Sequence, residues 1–389
     1  MQIEEKKKIR EPLIQISRRA SIVWWKSYLI RAGALAFAFL VCGILASILT
    51  KKNVFELFKT MFVNPLCIVD RGKTFFSTDK LWNLLQELAL LLCVALALTP
   101  AFRMRFWNIG AEGQILMGAY GCYLVLVLLT GKVPLPILFV LMVAASILFG
   151  AIWGVIPAIF KAYFGTNETL FTLMMNYVAA YLISFSILHF GWGASKGMNY
   201  TGIINRKGEF KHFGWFPSIF GQQYLMNILI VVVLTLLLYV YLRYSKHGYE
   251  ISVVGESEKT AKYIGINVKK VIIRTMILSG ALCGIAGLIL VAGTNHSLKM
   301  DSSGGRGFTA IMVTWLAHFN PAYMALTSFL IVFVQRGAKE LSTAYAQISD
   351  SFADVLVGIV LFFIIGCEFL INYRIKLHLP KRKKEEIAE

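Results

Sequence analysis

An all-α, polytopic membrane protein is the fold class this sequence predicts, and three observations predict it. Of the 389 residues, 57% are apolar and only 15% charged, against about 45–50% and about 25% in ordinary soluble domains. Mean hydropathy is +0.66. The apolar residues gather into runs long enough to cross a hydrocarbon core of roughly 30 Å, which takes about 20 residues of helix. A soluble enzyme is excluded. The formal net charge is nonetheless +18, a surplus that nucleic-acid binders also carry, so its distribution has to decide its meaning.

About ten transmembrane helices are expected, at 29–49, 84–100, 112–131, 134–158, 168–190, 225–242, 275–293, 307–318, 321–335 and 352–373. The second and eighth are short for a crossing. Residues 1–28 form a basic segment, and the run behind them is of full spanning length with no small-residue cleavage site after it. That pattern fits an uncleaved first helix better than a signal peptide. A transmembrane domain then covers 29–373, with outer loops 50–80 and 191–224 and an inner loop 243–270, and a basic tail covers 374–389. Ten crossings return both termini to one side. With that parity the inner segments hold 24 of the 39 Lys and Arg residues, which makes both termini cytoplasmic by the positive-inside rule. The outer loop 50–80, with Lys51, Lys52, Lys59, Arg71, Lys73 and Lys80, fits this least well. No single soluble face gathers the positive charge, so nucleic acid is not an expected partner. Anionic lipid headgroups are, for the N-terminal segment.

Reaction chemistry finds little support. The chain has no Gly-x4-Gly-Lys-Ser/Thr phosphate loop, no His-Glu-x-x-His and no nucleophile elbow, so it is not expected to be an enzyme or to hydrolyse a nucleotide. Its six histidines lack metal-ligand spacing and read as solvated or interfacial, so no metal site is expected. Five of its six cysteines fall in apolar spans and none forms a Cys-x-x-Cys pair, which suits small apolar packing.

Four polar segments interrupt this background. Arg103 to Gln114 sets Asn108, Glu112 and Gln114 around Gly110 and Gly113 between two apolar runs. Backbone freed at membrane depth has to be satisfied by protein or line a watery path, whereas a short cytoplasmic turn with Glu112 on the next helix dipole is the plainer alternative. Gly165 to Tyr177 begins the fifth span with Thr166 or Asn167 as cap and Glu168 in the first turn. Capping does not account for Thr172 and Asn176, four apart and so on one helical face, which either bond to a neighbouring helix or line a path. Ser302 to Thr309 is glycine-rich and precedes only about ten apolar residues before Asn320-Pro321. So short a run fits a discontinuous or re-entrant helix, and such segments in both halves of a transporter point to its translocation site. The inner loop holds a short amphipathic helix, expected to open after Gly255 and close at Gly265. It suits a lipid surface or a groove on a soluble partner.

In this order the four segments resemble the inner-membrane permease subunit of ATP-binding-cassette importers of the ribose and nucleoside type, over roughly residues 30–373. The most specific part is Phe106-Trp107-Asn108-Ile109-Gly110-Ala111-Glu112-Gly113-Gln114, similar to the nucleoside-importer version of the motif; permeases for plain sugars carry an aspartate-rich segment there. Thr166-Asn167-Glu168 with Thr172, Met174 and Asn176, and Gly307-Phe308-Thr309 with Asn320-Pro321, are similar to the same subgroup. Gly255, Glu256, Ala261, Tyr263, Gly265 and Ile266 resemble the loop that inserts into the ATPase. The long N-terminal extension and the aromatic, basic loop 191–224 depart from the pattern.

The resemblance implies a multi-pass protein of the bacterial cytoplasmic membrane, without a cofactor of its own, since ATP and magnesium belong to a partner ATPase. It implies a second homologous permease subunit, with a heterodimer expected, and an extracytoplasmic substrate-binding lipoprotein. Asn108, Glu112, Gln114, Asn167, Thr172, Asn176, Phe308 and Thr309 become candidates for the substrate path, and Gly255, Glu256, Ala261, Tyr263 and Gly265 for coupling to the ATPase. Amides, hydroxyls and aromatics suit an uncharged polar ring such as a nucleoside, while a simple sugar or a flavin-like vitamin would fit the same groups. An ion-gradient-driven secondary transporter is the rival from another class. It would need an ionisable site at depth, and Glu87, Glu112, Glu168 and Asp354 lie in first turns where dipole stabilisation suffices. A membrane scaffold that transports nothing would have no use for the polar breaks.

Overall fold

The structure is a computed structural model that describes residues 14–19, 23–70, 73–207 and 209–377. In chain order its elements are β1 (Ile14–Arg18), α1 (Trp24–Thr50), α2 (Val54–Val63), β2 (Cys67–Asp70), β3 (Lys73–Phe76), α3 (Thr78–Arg103), α4 (Ala111–Leu129), α5 (Leu135–Phe164), α6 (Glu168–His189), α7 (Leu225–Tyr244), α8 (Lys246–Glu256), α9 (Glu258–Tyr263), α10 (Val268–Leu288), α11 (Arg306–Leu316), α12 (Pro321–Ala344), α13 (Asp350–Asn372) and β4 (Tyr373–Leu377). A π-helical stretch, Ile289–Asn295, continues α10. The chain divides into two compact units, Met1–Asn64 with Val334–Glu389, and Pro65–Phe333.

Eight of the described helices are long and apolar enough to cross a membrane. They match the first seven and the last of the expected spans. The second is not short: α3 starts at the Ser77 cap, ahead of its apolar run, and continues past Pro100 to Arg103, for 26 residues. The eighth is short indeed. With 11 residues, α11 reaches only about 16 Å, half a membrane. The ninth, α12, has 24 residues, but Arg336, Lys339 and Glu340 make its later part too polar to qualify. The outer loop 50–80 is not irregular; it contains α2 and the β2–β3 hairpin.

In the larger unit α3, α4 and α10 form the centre, 83%, 72% and 78% buried over their apolar windows, against 22% for both α5 and α7. Helices in lipid gain nothing from the hydrophobic effect between them, so close contact depends on small residues. A glycine seam supplies that contact here. Gly150 and Gly154 of α5 and Gly118 of α4 face Gly280 and Gly284 of α10, and a Cβ at Gly284 would lie 2.2 Å from the Ser146 carbonyl oxygen. The loop 191–224 folds onto this centre. Trp192, Ile204, Phe213 and Phe216 pack against the core of α4, α5, α6 and the π-helical stretch, while Arg206, Lys207 and Lys211 stay exposed.

In the smaller unit α1 and α13 pack antiparallel. Arg31 Nε donates to Glu368 Oε1 at 2.7 Å, Phe37 meets Phe363 edge-on, and Cys42 donates to the Leu356 carbonyl. The antiparallel β1–β4 ribbon, Ile14 opposite Leu377 and Arg18 opposite Tyr373, extends that pairing. It falls in segments expected to be basic extensions only. Most of the expected 374–389 tail, and residues 1–13 and 20–22 of the N-terminal segment, lie outside the described residues.

Candidate functional site

At the break between α3 and α4 the chain leaves helical geometry at Arg105, with φ +60°, and resumes it after Gly110. Buried backbone groups need partners, and the polar side chains of this segment and of α6 provide them. Ile109 N–H donates to Thr172 Oγ1 at 3.1 Å, Gly110 N–H to Asn108 Oδ1 at 3.0 Å and Gly113 N–H to Asn176 Oδ1 at 2.8 Å. Asn176 returns a bond from Nδ2 to the Ile109 carbonyl at 2.9 Å. Asn108 and Gln114 exchange two amide bonds of 3.3 and 3.2 Å, and Asn108 Nδ2 reaches Ser279 Oγ of α10 at 3.3 Å.

Ser279 lies near the middle of the 28-residue helix from Val268 to Asn295, and Gly118 meets Gly284 a little further along. The N-terminus of α4 therefore sits roughly halfway along the central helices. The N-terminus of α11 sits there too, because Glu112 reaches it. Glu112 Oε1 accepts from Ser303 Oγ at 2.5 Å and from Gly305 N–H at 2.7 Å, and Oε2 accepts from Gly307 N–H at 2.7 Å. From that point the two helices diverge. α4 runs toward the loop 191–224, where Asn205 bonds Thr130. α11 runs back along α3, where Thr314 bonds the Ala95 carbonyl and Trp315 meets Phe102. Two helices thus start at one depth, the 19-residue α4 and the half-span α11, point to opposite faces, and share one carboxylate, which accepts from orphan N–H groups of α11 while offsetting the positive N-terminal ends of both.

The expected path residues fall into two groups. Asn108, Gln114, Thr172 and Asn176 are at most 6% exposed and bond to one another or to the broken backbone, so in this conformation they hold the break together and present no surface to a solute. Glu112 is half-buried between α4 and α11. Asn167 is the cap of α6, accepting from Leu170 N–H at 3.2 Å, and it lines a shallow recess on the exposed side of α6 with Leu170 and Met174. Phe308 is 41% exposed and Thr309 half-buried. Below them on α11, Trp315 stacks on Trp107 at 5.2 Å and 20°, and both side chains are exposed, by 43% and 45%. Since α6 and α11 both pack on α4, these open groups flank its N-terminus.

The helix expected between Gly255 and Gly265 is α9, and the inner loop holds a second, unexpected helix, α8, ahead of it. Ser257 makes the junction, its backbone extended and its Oγ capping α9 by accepting from Thr260 N–H at 3.2 Å. Gly255 lies inside α8, where a Cβ would stand 2.0 Å from the Arg103 carbonyl oxygen, so α8 rests directly on the end of α3. Ala261 is buried, Glu256 exposed, and Tyr263 92% exposed at the end of α9; Gly265 follows with φ +85°. His247 secures the other end of α8. Its Nδ1 meets Tyr241 Oη at 2.7 Å and its Nε2 meets Thr275 Oγ1 at 3.2 Å, and burial, then Arg274, holds its pKa below the ordinary histidine range.

His296 follows the π-helical stretch in left-handed backbone, φ +48°, and lies flat on Trp215 at 3.6 Å and 3°, and His212 also stacks on Trp215, at 4.4 Å and 28°. Ile204 N–H donates to the His296 carbonyl at 2.8 Å and Phe216 N–H to that of Ala292 at 2.9 Å. Burial pushes the His296 pKa down to about 4, and His212 pushes in the same direction. His247 and His296 are therefore packed groups, not the solvated histidines expected. No group of three or more His, Cys, Asp or Glu with metal-binding geometry occurs among the described residues.

Sequence reasoning missed Ser279, Ser303, His247 and the Trp107–Trp315 stack. Ser303 had a signal in the glycine-rich stretch, whereas Ser279 sits in an ordinary apolar run and nothing local marks it.

Residues 81–365 match the family described as the branched-chain amino acid transport system / permease component. The chain is 27% identical to the guanosine ABC transporter permease protein NupP of Bacillus subtilis, over 75% of this chain and 80% of that one. It is 25% identical to the nucleoside ABC transporter permease protein NupB of Lactococcus lactis subsp. cremoris, over 80% and 85%. It is 24% identical to the glucose ABC transporter permease protein TsgB13 of Haloferax volcanii, over 97% of both.

Proposed function

The chain belongs to the branched-chain amino acid transport system / permease component family, and from that premise we propose that it is the membrane-spanning subunit of an ATP-driven importer whose solute is a nucleoside. The observation that carries the reading is the discontinuous α11 joined by Glu112 to the broken entry of α4, halfway along the central helices, an arrangement that a scaffold has no use for and that transporters place at their solute sites. Similarity to guanosine and nucleoside permeases favours a nucleoside over a sugar.

In this reading the solute passes along the side of α4 flanked by α6 and α11, between this subunit and a second permease, with a heterodimer expected. Asn167, Phe308 and Thr309 face it, joined by Trp107 and Trp315, whose open rings suit a flat base. Asn108, Gln114, Thr172 and Asn176 keep the broken backbone in shape, and Glu112 keeps α4 and α11 together. Partner ATPases dock on α8 and α9, with Glu256 and Tyr263 at the contact and Gly255, Ala261 and Gly265 shaping it. ATPase closure bears on the end of α3 through Gly255. Alternating access follows from the ATPases' different affinity for the two states. A lipoprotein outside the cell delivers the solute to the loop 191–224.

Uptake of labelled guanosine and uridine by cells with and without this subunit tests the proposal, with excess unlabelled ribose or riboflavin as competitors. Uptake that depends on the subunit and resists both competitors is the expected result. Uptake by the reconstituted chain alone, without ATP, would replace it with an ion-driven carrier.

A further inference from the structure

On the α8 side of the larger unit a cavity of about 500 Å³ lies where four segments converge: the end of α3, the end of α7, α8, and the turn between α11 and α12. Such a volume suits a small ligand or a lipid headgroup. Arg103 and Arg243 both line it, along with Tyr239, Tyr249, Ser252 and Asn320, and no carboxylate does. Neither guanidinium pairs with a carboxylate among the described residues; Arg243 bonds the Tyr239 hydroxyl and lies over the Tyr239 and Tyr244 rings. Each arginine is in the last turn of its helix, where it offsets the dipole. That role explains one charge at each helix end. It does not explain an open cavity between them, nor the left-handed backbone of His318 and Phe319 at its edge, with φ +48° and +61°, a conformation that costs energy unless the surroundings impose it.

The outer surface of α7 indicates what occupies the cavity. Leu229, Val233, Leu236 and Val240 are exposed at helical spacing, and the same face ends at the exposed Arg243. An apolar stripe that terminates in a basic pocket, on the side that the charge bias assigns to the cytoplasm, matches an acyl chain and its headgroup. We propose that this cavity binds a phosphate group between Arg103 and Arg243, carried by an anionic phospholipid whose chains lie along α7. Because α8 forms one wall, the bound lipid braces the helix that rests on the end of α3. The site is independent of which solute the protein carries.

The test uses the full chain in lipid nanodiscs of phosphatidylcholine alone or with one quarter phosphatidylglycerol. Apparent melting temperature and retained phosphatidylglycerol are measured for wild type, Arg103→Gln/Arg243→Gln, Ser252→Trp, which fills the cavity and leaves both charges, and Lys259→Gln/Lys262→Gln, a control that removes two exposed charges from α9. Wild type and the α9 control should be stabilised by phosphatidylglycerol and retain it; the other two should lose the stabilisation and retain about tenfold less. Equal retention by all four overturns the site. Stabilisation of wild type in phosphatidylcholine discs by inorganic phosphate alone, to the same degree, overturns the lipid as its source. If the double variant fails to fold, Ser252→Trp decides the matter by itself.

Discussion

Removing the Glu112 carboxylate should separate α11 from α4. Glu112→Ala leaves the Ser303 hydroxyl and the N–H groups of Gly305 and Gly307 without their acceptor, at 2.5, 2.7 and 2.7 Å in the structure. Hydrogen bonds to a charged group contribute about 1.5–3 kcal/mol each, and three in one cluster do not add fully. Gly307 is buried but Glu112 is half-buried, so water replaces part of the loss and about 3–5 kcal/mol is the expected destabilisation. In a chain of this size that lowers the melting temperature by about 4–6 °C. Glu112→Gln keeps the shape but turns an N–H₂ toward a backbone N–H, and should lose about half as much. Glu112→Asp is one methylene short and cannot hold Gly305 and Gly307 together. Thermal unfolding in nanodiscs, paired with nucleoside uptake, gives the order wild type, Gln, Ala. An alanine variant that melts within a degree of wild type and transports normally would refute the claim that this carboxylate holds α4 to α11.

Asn176→Ala strips partners from Gly113 N–H and the Ile109 carbonyl, and should cost about 2–4 kcal/mol in unfolding measurements, with uptake falling in parallel; Asn176→Ser, too short for either, should resemble it. Gly255→Ala drives a methyl against the Arg103 carbonyl and should reduce solute-stimulated ATP hydrolysis more than tenfold while the protein still inserts; stimulation equal to wild type would show that α8 does not bear on α3. The His296 contribution depends on pH with a definite sign. Its folded pKa of about 4 is below the ordinary 6.5, so the unfolded state takes the proton first; stability is complete above about pH 6.5 and declines as pH falls toward 4. Trp215 fluorescence should report loosening of the 201–216 segment over that range, and His296→Phe should remove the transition. An unchanged pH profile in that variant counts against the assignment.

What could be read from the sequence was whatever the membrane makes costly. Eleven residues cannot cross a bilayer, so the half-helix α11 was visible in the distance between Gly307 and Asn320, and the α3–α4 break in its glycines and amides. The partners of those groups were not visible. Glu112 bonds residues almost two hundred positions away and Asn176 a backbone more than sixty positions away, and a single sequence carries no sign of such pairings. That blindness is why Asn108 and Asn176, polar at depth, read equally well as path lining or as packing. Gly265, expected to close the inner-loop helix, does follow the end of α9 with positive φ, whereas Gly255, expected only to precede that helix, lies in α8 and marks close approach to Arg103. The β1–β4 ribbon was within reach, since Ile14 to Arg18 and Tyr373 to Leu377 alternate apolar and polar residues, a period of two that the surrounding positive charge obscured.

The opposed directions of α4 and α11 bear on how the membrane voltage acts on this molecule. Each of the two helices carries about half a positive charge at its N-terminus and half a negative charge at the other end. With both N-termini near the middle of the central helices, the two dipoles oppose each other, and the 11 residues of α11 offset a little more than half of the dipole of the 19-residue α4. Tilting the pair as one body therefore transfers less charge through the field than tilting α4 alone. A potential of 100 mV is worth about 2.3 kcal/mol only for a charge that crosses the whole membrane. The resting voltage therefore has reduced purchase on this pair, which in the proposed function leaves the work of tipping it to the contact of α8 with the end of α3 at Gly255.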